Sequence, residues 1–117
     1  METIETPEPN KTIARLHMSL SNCSLKKAKN HLKKKLIQND TLPTGATVLK
    51  GTGYWIPTDD DGNILHDKKE VEDNIVIELW LESETELLAV KHLKEHLETR
   101  FKQDSIPLTL EDRYCEY

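Results

Sequence analysis

Eight residues, Asn74 to Leu81, set the strictest limit on what this chain can become. Ile75, Ile77, Leu79 and Leu81 fall on one side and Val76, Glu78 and Trp80 on the other. That is the period of two expected of a strand with one face in a core. A second strand-like run, Ala46–Ile56, lies upstream, joined to the first by the loop segment Pro57–Asp73. On the outer side of each run stands a charged helical pattern and a short apolar run. The chain therefore reads strand–helix–strand twice.

Residues 1–11 read as a flexible tail and residues 12–117 as one domain, the size expected of 117 residues. Thr12–Leu20 is the first strand, with Ala14, Leu16, Met18 and Leu20 toward the core and Ile13, Arg15, His17 and Ser19 away from it. Ser21-Asn22-Cys23-Ser24 is a cap-rich turn before a helix over Leu25–Gln38. Leu25, Ala28, Leu32 and Leu36 mark its buried stripe. Around that stripe stand Lys26, Lys27, Lys29, Lys33, Lys34 and Lys35 with no acid between them. Ser83 and Glu86 form a capping box for a second helix, Glu84–Gln103, with Leu87, Val90, Leu93 or Lys94, Leu97 and Phe101 on one side and Leu88 beside them. Ile106–Leu110 is the last strand. Pro107 removes a ladder donor there, so the strand is expected at an edge or starting near the proline. The sum is β-α-β-β-α-β, the α+β ferredoxin-like arrangement, with two helices on one face of a four-stranded antiparallel sheet.

Charge and composition narrow the function classes. A net charge of -5 argues against general nucleic-acid binding. The balance is lopsided: residues 1–50 carry nine Lys/Arg against four Asp/Glu, and residues 51–117 seven against seventeen. Such halves are expected to face each other within the fold or between subunits. With 36% hydrophobic residues the core is modest, and oligomerisation is a natural supplement. Cys23 and Cys115 show no pairing pattern and read as free thiols of a reducing, cytoplasmic compartment. The first ten residues have no signal- or transit-peptide pattern, and no run of apolar residues is long enough for a membrane span.

Several segments could carry chemistry. Gly51-Thr52-Gly53-Tyr54-Trp55 reads either as a backbone opened by glycines for a planar ligand, with rings able to stack on it, or as a β-bulge with packing aromatics. It lacks the strand–turn–helix context of a dinucleotide fingerprint. Either Trp55 or Trp80 is expected outside the primary core, as an oligomer interface or ligand platform. Asp59, Asp61 and Asn63 resemble calcium ligands only superficially, and a plain Asp/Gly turn is the better reading. Glu70, Glu72 and Asp73, just before the third strand, could hold a cationic centre or act as an acid–base group, with Glu70 the first choice, although a solvated loop is the better reading of any one of them. Ser21 and Asn22 stand where a helix N-terminus could attract an anion, although capping explains them without a ligand and is the better reading. The lysines of the first helix read as a solvated face. His17, His31, His66, His92 and His96 form no metal pattern, so no metal is expected.

Four features give the sequence a resemblance to the phage S-adenosylmethionine lyases. They are the Leu20-Ser21-Asn22 turn, the Gly53-Tyr54 or Gly53-Trp55 position, an acidic residue shortly before the third strand, and Gln103-Asp104-Ser105. The resemblance implies a small ferredoxin-like protein assembled as a homotrimer, with its site between subunits. It further implies that an aromatic hydroxyl and a glutamate, Tyr54 and Glu70 or Glu72, flank the sulfonium substrate. Ser21, Asn22, Gly51, Gly53 and Trp55 would contribute to binding, and no separate cofactor is required. The reaction it implies is attack of the substrate's own carboxylate on its γ-carbon, releasing methylthioadenosine and homoserine lactone. For a phage-encoded protein the setting would be the host cytoplasm and the role anti-restriction. The rival readings are a non-catalytic module for a nucleotide-like ligand and a protein-interaction or inhibitor module.

Overall fold

The alternation along Asn74–Leu81 is the C-terminal part of a longer strand. The computed structural model describes residues 7–43, 45–67 and 70–116, with Trp55 and Glu70 described by backbone alone. The chain runs β1 (Lys11–Ser19), α1 (Leu25–Gln38), β2 (Ala46–Trp55), β3 (Glu70–Leu81), α2 (Glu84–Arg100) and β4 (Leu108–Arg113). The strands form one sheet in the order β2-β3-β1-β4, and every neighbouring pair is antiparallel. β3 lies between β1 and β2, and β1 lies between β3 and β4. Each strand–helix–strand unit therefore encloses a strand of the other, which is the ferredoxin-like layout.

One sheet face carries the core. Ala14, Leu16 and Met18 of β1 meet Ile75, Ile77, Leu79 and Leu81 of β3, all buried. Above them lie Ala28 and Leu32 of α1, Ala89, Val90, Leu93 and Leu97 of α2, and then Phe101 and Ile106. Leu16 pairs with Ile77 and Ala14 with Leu79. A slip of one residue would turn this whole set to the other face, at about 1.5–3 kcal/mol for each large side chain exposed. The parity expected of β1 holds, and Ile13, although only 3% exposed, stands outside the core cluster as that parity requires. It sits on the opposite face between its register partners Trp80 and Glu111.

The helix ends show where local chemistry sets the boundaries. α1 starts where the Lys27 amide donates to the Ser24 hydroxyl at 3.1 Å. α2 starts where the Glu86 amide donates to Ser83 Oγ at 3.2 Å. The Glu86 carboxylate accepts from the Glu82 amide at 2.8 Å, one residue upstream of the usual reciprocal bond. α2 ends at Arg100, before the expected Gln103. Lys102 takes a left-handed φ of 52°, and the Gln103 amide folds back to the Glu98 carbonyl at 2.9 Å. This closure normally uses glycine, and a lysine there costs about 1 kcal/mol.

β4 begins after Pro107, whose carbonyl accepts from the His17 amide at 3.0 Å. The proline thus supplies an acceptor to the ladder and is asked for no donor. At the other end Asn10 exchanges two 2.8 Å bonds with the Cys115 backbone. The loop after β2 is the Asp/Gly turn that its residues suggest. Asp59 accepts from the amides of Asn63 and Asp61, and the Asn63 amide first, then the Asn63 side chain and the Asp61 amide, hold its carboxyl below the usual range. Gly62 supplies a φ of 84° there.

Glu98 clamps the loop between α2 and β4. One oxygen accepts from the Ile106 amide at 3.0 Å and the other from Lys94 Nζ at 3.0 Å. The Ile106 amide, then Lys94, hold its carboxyl below the usual glutamate range. Such a clamp stabilises the fold above the unfolded pKa and is lost as pH falls through the folded one. Glu98→Gln is therefore expected to cost about 1–2 kcal/mol near neutrality. Urea titrations of parent and variant should converge in acid; a pH-independent difference would refute the clamp.

Candidate functional site

The sheet is not equally deep along its length. β1 makes its last pairing at Ser19↔Asn74, whereas β2 and β3 continue through Thr52↔Asp73, Gly53↔Glu72 and Tyr54↔Val71 to Trp55↔Glu70. A two-stranded arm therefore projects past β1. Hydrophobic alternation fails along it because neither face meets the core, which is why Glu70–Asp73 read as loop in the sequence. Tyr54 and Val71 occupy the side of the sheet that carries the helices, yet are 64% and 58% exposed. Gly51, Gly53, Glu72 and Asn74 occupy the other side, as do the register positions of Trp55 and Glu70. The side chains of Trp55 and Glu70 lie outside the described residues. Within one chain Tyr54 and Glu72 thus sit on opposite faces of the arm.

The two glycines have a specific cause. A Cβ at Gly51 would stand 2.8 Å from Asn74 Oδ1, and one at Gly53 3.0 Å from Asn74 Nδ2. The Asn74 amide lies along β2, with its oxygen over one glycine and its nitrogen over the other. The register is unbroken, so there is no bulge here. Among the described residues the Asn74 side chain makes no hydrogen bond, leaving a planar donor–acceptor group on the half-open face. Sequence reasoning missed Asn74. The signal was present as two glycines two apart, facing the polar first residue of a strong strand.

The turn after β1 adjoins this end of the sheet. The Ser19 hydroxyl donates to Ser21 Oγ at 2.9 Å, and the Ser21 amide donates to Ser19 Oγ at 3.1 Å. Asn22 Nδ2 donates to the Lys102 carbonyl at 3.1 Å, and Gln103 Nε2 to the Ser19 carbonyl at 3.2 Å. The Leu20–Asn22 and Gln103–Ser105 segments, far apart in sequence, are thereby tied together. Ser21 remains exposed, while the Asn22 amide is engaged in holding the loop. Burial pushes the Cys23 thiol up despite the nearby Lys27, which disfavours a thiolate nucleophile.

The far end of the open face is already occupied by charge pairs. Arg15 binds Glu78 at 3.0 Å and Glu111 at 2.7 Å, and Arg113 binds Glu111 at 2.6 Å. Trp80 Nε1 donates to Glu78 at 3.1 Å, which places this tryptophan outside the core. A hollow of about 760 Å³ is lined by Trp80, Glu78, Leu42 and Cys115. It is separated from Tyr54 by most of the length of β3, about 30 Å. Among the described residues no group of three or more potential ligands could hold a metal.

Neither a family model nor a curated protein sequence matches the chain. Solved structures do match. One is a phage SAM lyase in complex with S-methyl-5'-thioadenosine, with a TM-score of 0.67 and 16% identity over 96% of this chain and 88% of that one. Another is a Bacillus cereus protein related to NIF3, with a TM-score of 0.54 and 11% identity over 92% of this chain and 27% of that one. At these identities the likeness is one of fold.

The glycine–asparagine fit is open to a direct check. Gly51→Ala should displace the Asn74 amide, and the added methyl should cost less once Asn74→Ala has removed that amide. A double-mutant cycle in urea is expected to give a coupling of about 0.5–1 kcal/mol. Additive effects would show that the amide is not seated on the glycines.

Proposed function

We propose that the protein is an oligomeric lyase that cleaves S-adenosylmethionine to S-methyl-5'-thioadenosine and homoserine lactone. The observation that carries this reading is the likeness of fold, over nearly the whole of both chains, to a phage SAM lyase holding S-methyl-5'-thioadenosine. The arm supports it with a tyrosine, an acidic strand start and a glycine-backed amide close together in register. Because Tyr54 and Glu72 face opposite ways in one chain, a pocket using both takes one of them from a neighbouring copy. The exposed apolar side chains on and around the arm, Leu49, Tyr54, Ile56, Ile64 and Val71, are suited to being covered by such a copy. A trimer is the assembly we favour.

The chemistry asks little of the protein beyond placement. The substrate carboxylate forms a bond to its own γ-carbon as the carbon–sulfur bond breaks, and the electron pair leaves on sulfur. A carboxylate and a sulfonium lose their charges together, so no proton need move and no water is consumed. Holding the chain bent supplies the effective concentration of the nucleophile. A glutamate, Glu72 or Glu70, would hold the ammonium group, which stays charged throughout. The Asn74 amide offers a donor and an acceptor to a planar purine edge, and Tyr54 would pack beside the sulfonium. Drying the site favours a transition state in which charge is dispersing.

A second reading is a protein-interaction module, favoured by the same exposed apolar arm. One experiment separates the two. Purified protein incubated with S-adenosylmethionine is expected to yield S-methyl-5'-thioadenosine. Glu72→Gln or Glu70→Gln, and Tyr54→Phe, are expected to slow turnover roughly a hundredfold while the fold survives. Val71→Glu is expected to lower the assembly mass in light scattering and abolish turnover. Absence of product with the parent protein rejects the lyase, and oligomerisation alone would leave the interaction module.

A further inference from the structure

A second polar site lies on the helical side of the molecule, away from the arm. α1 and the end of α2 enclose a groove of about 620 Å³. Its wall includes Lys27, His31 and Lys34 from α1, Arg100 from α2, Lys102 from the following turn, and Asn22. Among the described residues no carboxylate lines it. Acids outnumber bases by twenty-one to sixteen in this chain, yet none of the four cations makes an ion pair among the described residues. Arg100 is instead held over the Phe101 ring, 5.5 Å from its centroid. Lys102 stands in a left-handed position where glycine is the usual occupant. The groove lies within the volume range of small-molecule sites and exceeds what one phosphate would fill.

Two histidines report the local field. His31 Nε2 and His96 Nε2 are 2.7 Å apart, the rings are stacked, and Phe101 meets the His31 ring edge-on. One nitrogen must donate and the other accept, so both rings cannot be charged in this geometry. Partial burial first, then the positive charges of His96, Lys35, Arg100 and Lys34, push the His31 pKa down. Burial, Lys35 and Arg100 do the same to His96. Every charged group acting on the pair is positive, from α1 and α2 alike.

We infer that this groove binds a polyphosphate anion, the phosphate chain of a nucleotide or of an inorganic di- or triphosphate. Arg100 presents a planar fork to phosphate oxygens, and Lys27, Lys34 and Lys102 add point charges around it. The groove takes none of Tyr54, Glu70 and Glu72 and shares with the lyase reading Asn22, whose amide is held by the Lys102 carbonyl, so this inference does not depend on that reading.

Titration with inorganic triphosphate, followed by imidazole resonances of His31 and His96, tests it. Triphosphate is expected to bind and to raise the midpoint of the histidine pair, because an anion stabilises the imidazolium. Lys34→Ala with Arg100→Ala is expected to weaken binding roughly tenfold or more. Lys29→Ala with Lys33→Ala removes the same charge from the exposed outer face of α1 and should leave affinity nearly unchanged. Equal affinity for triphosphate and ATP would assign recognition to the phosphates, and tighter ATP binding would add the nucleoside. An unmoved histidine midpoint, or equal losses in the two double variants, would overturn the site. So would binding of a single-stranded oligonucleotide without binding of triphosphate. Turnover of S-adenosylmethionine by the same variants is a separate readout and decides nothing about the groove.

Discussion

The pairing of β1 with β3 is the constraint on which the rest of the molecule depends. Leu16 against Ile77 and Ala14 against Leu79 join two apolar rows into one buried surface. Both helices pack on it, and the two outer strands take their register from it. A modest core of this kind leaves little apolar surface to spare. Where β1 stops, at Ser19, burial on both sides of the sheet stops with it. The arm formed by the outer halves of β2 and β3 is the consequence: backbone pairing without a core beneath it.

That boundary explains which parts of the fold were legible in the sequence. α1 begins and ends where its caps indicate, because Ser24 and Asn39 provide local signals and the apolar stripe is regular. β3 starts earlier than its alternation because Glu70–Asp73 pair with β2 through backbone alone. α2 stops early because Lys102 enters the left-handed region, a choice that nothing in a lysine advertises. β4 shifts past Pro107 because a proline carbonyl can close a ladder that its nitrogen cannot. Burial of Ile13 away from the core is a tertiary effect, fixed by the neighbours that register brings to it.

The candidate site was legible to the level of segments. The glycine-containing strand, the acids at the start of β3 and the turn after β1 do gather at one end of the sheet. Their side-chain directions were not legible, since alternation places Tyr54 and Glu72 on opposite faces while sequence proximity suggests convergence. The role of Gly51 and Gly53 also depended on a partner strand: they accommodate Asn74, which no local pattern singles out.

The divided charge of the chain resolves in two different ways. Lys11 with Glu82, and Arg15 with Glu78 and Glu111, are attractive contacts between the basic first half and the acidic second. The lysines of α1 do not follow that pattern. The second half presents to their inner side Arg100 and Lys102, two of its few cations, and keeps the carboxylates of its described residues elsewhere. Like charges gathered across a groove repel, and the two histidines between the helices, pushed down first by burial, are pushed down further by those cations. A fold with acid to spare could have relieved it with one glutamate. An arrangement that leaves it unrelieved is complementary to an anion, and a bound anion would offset the repulsion.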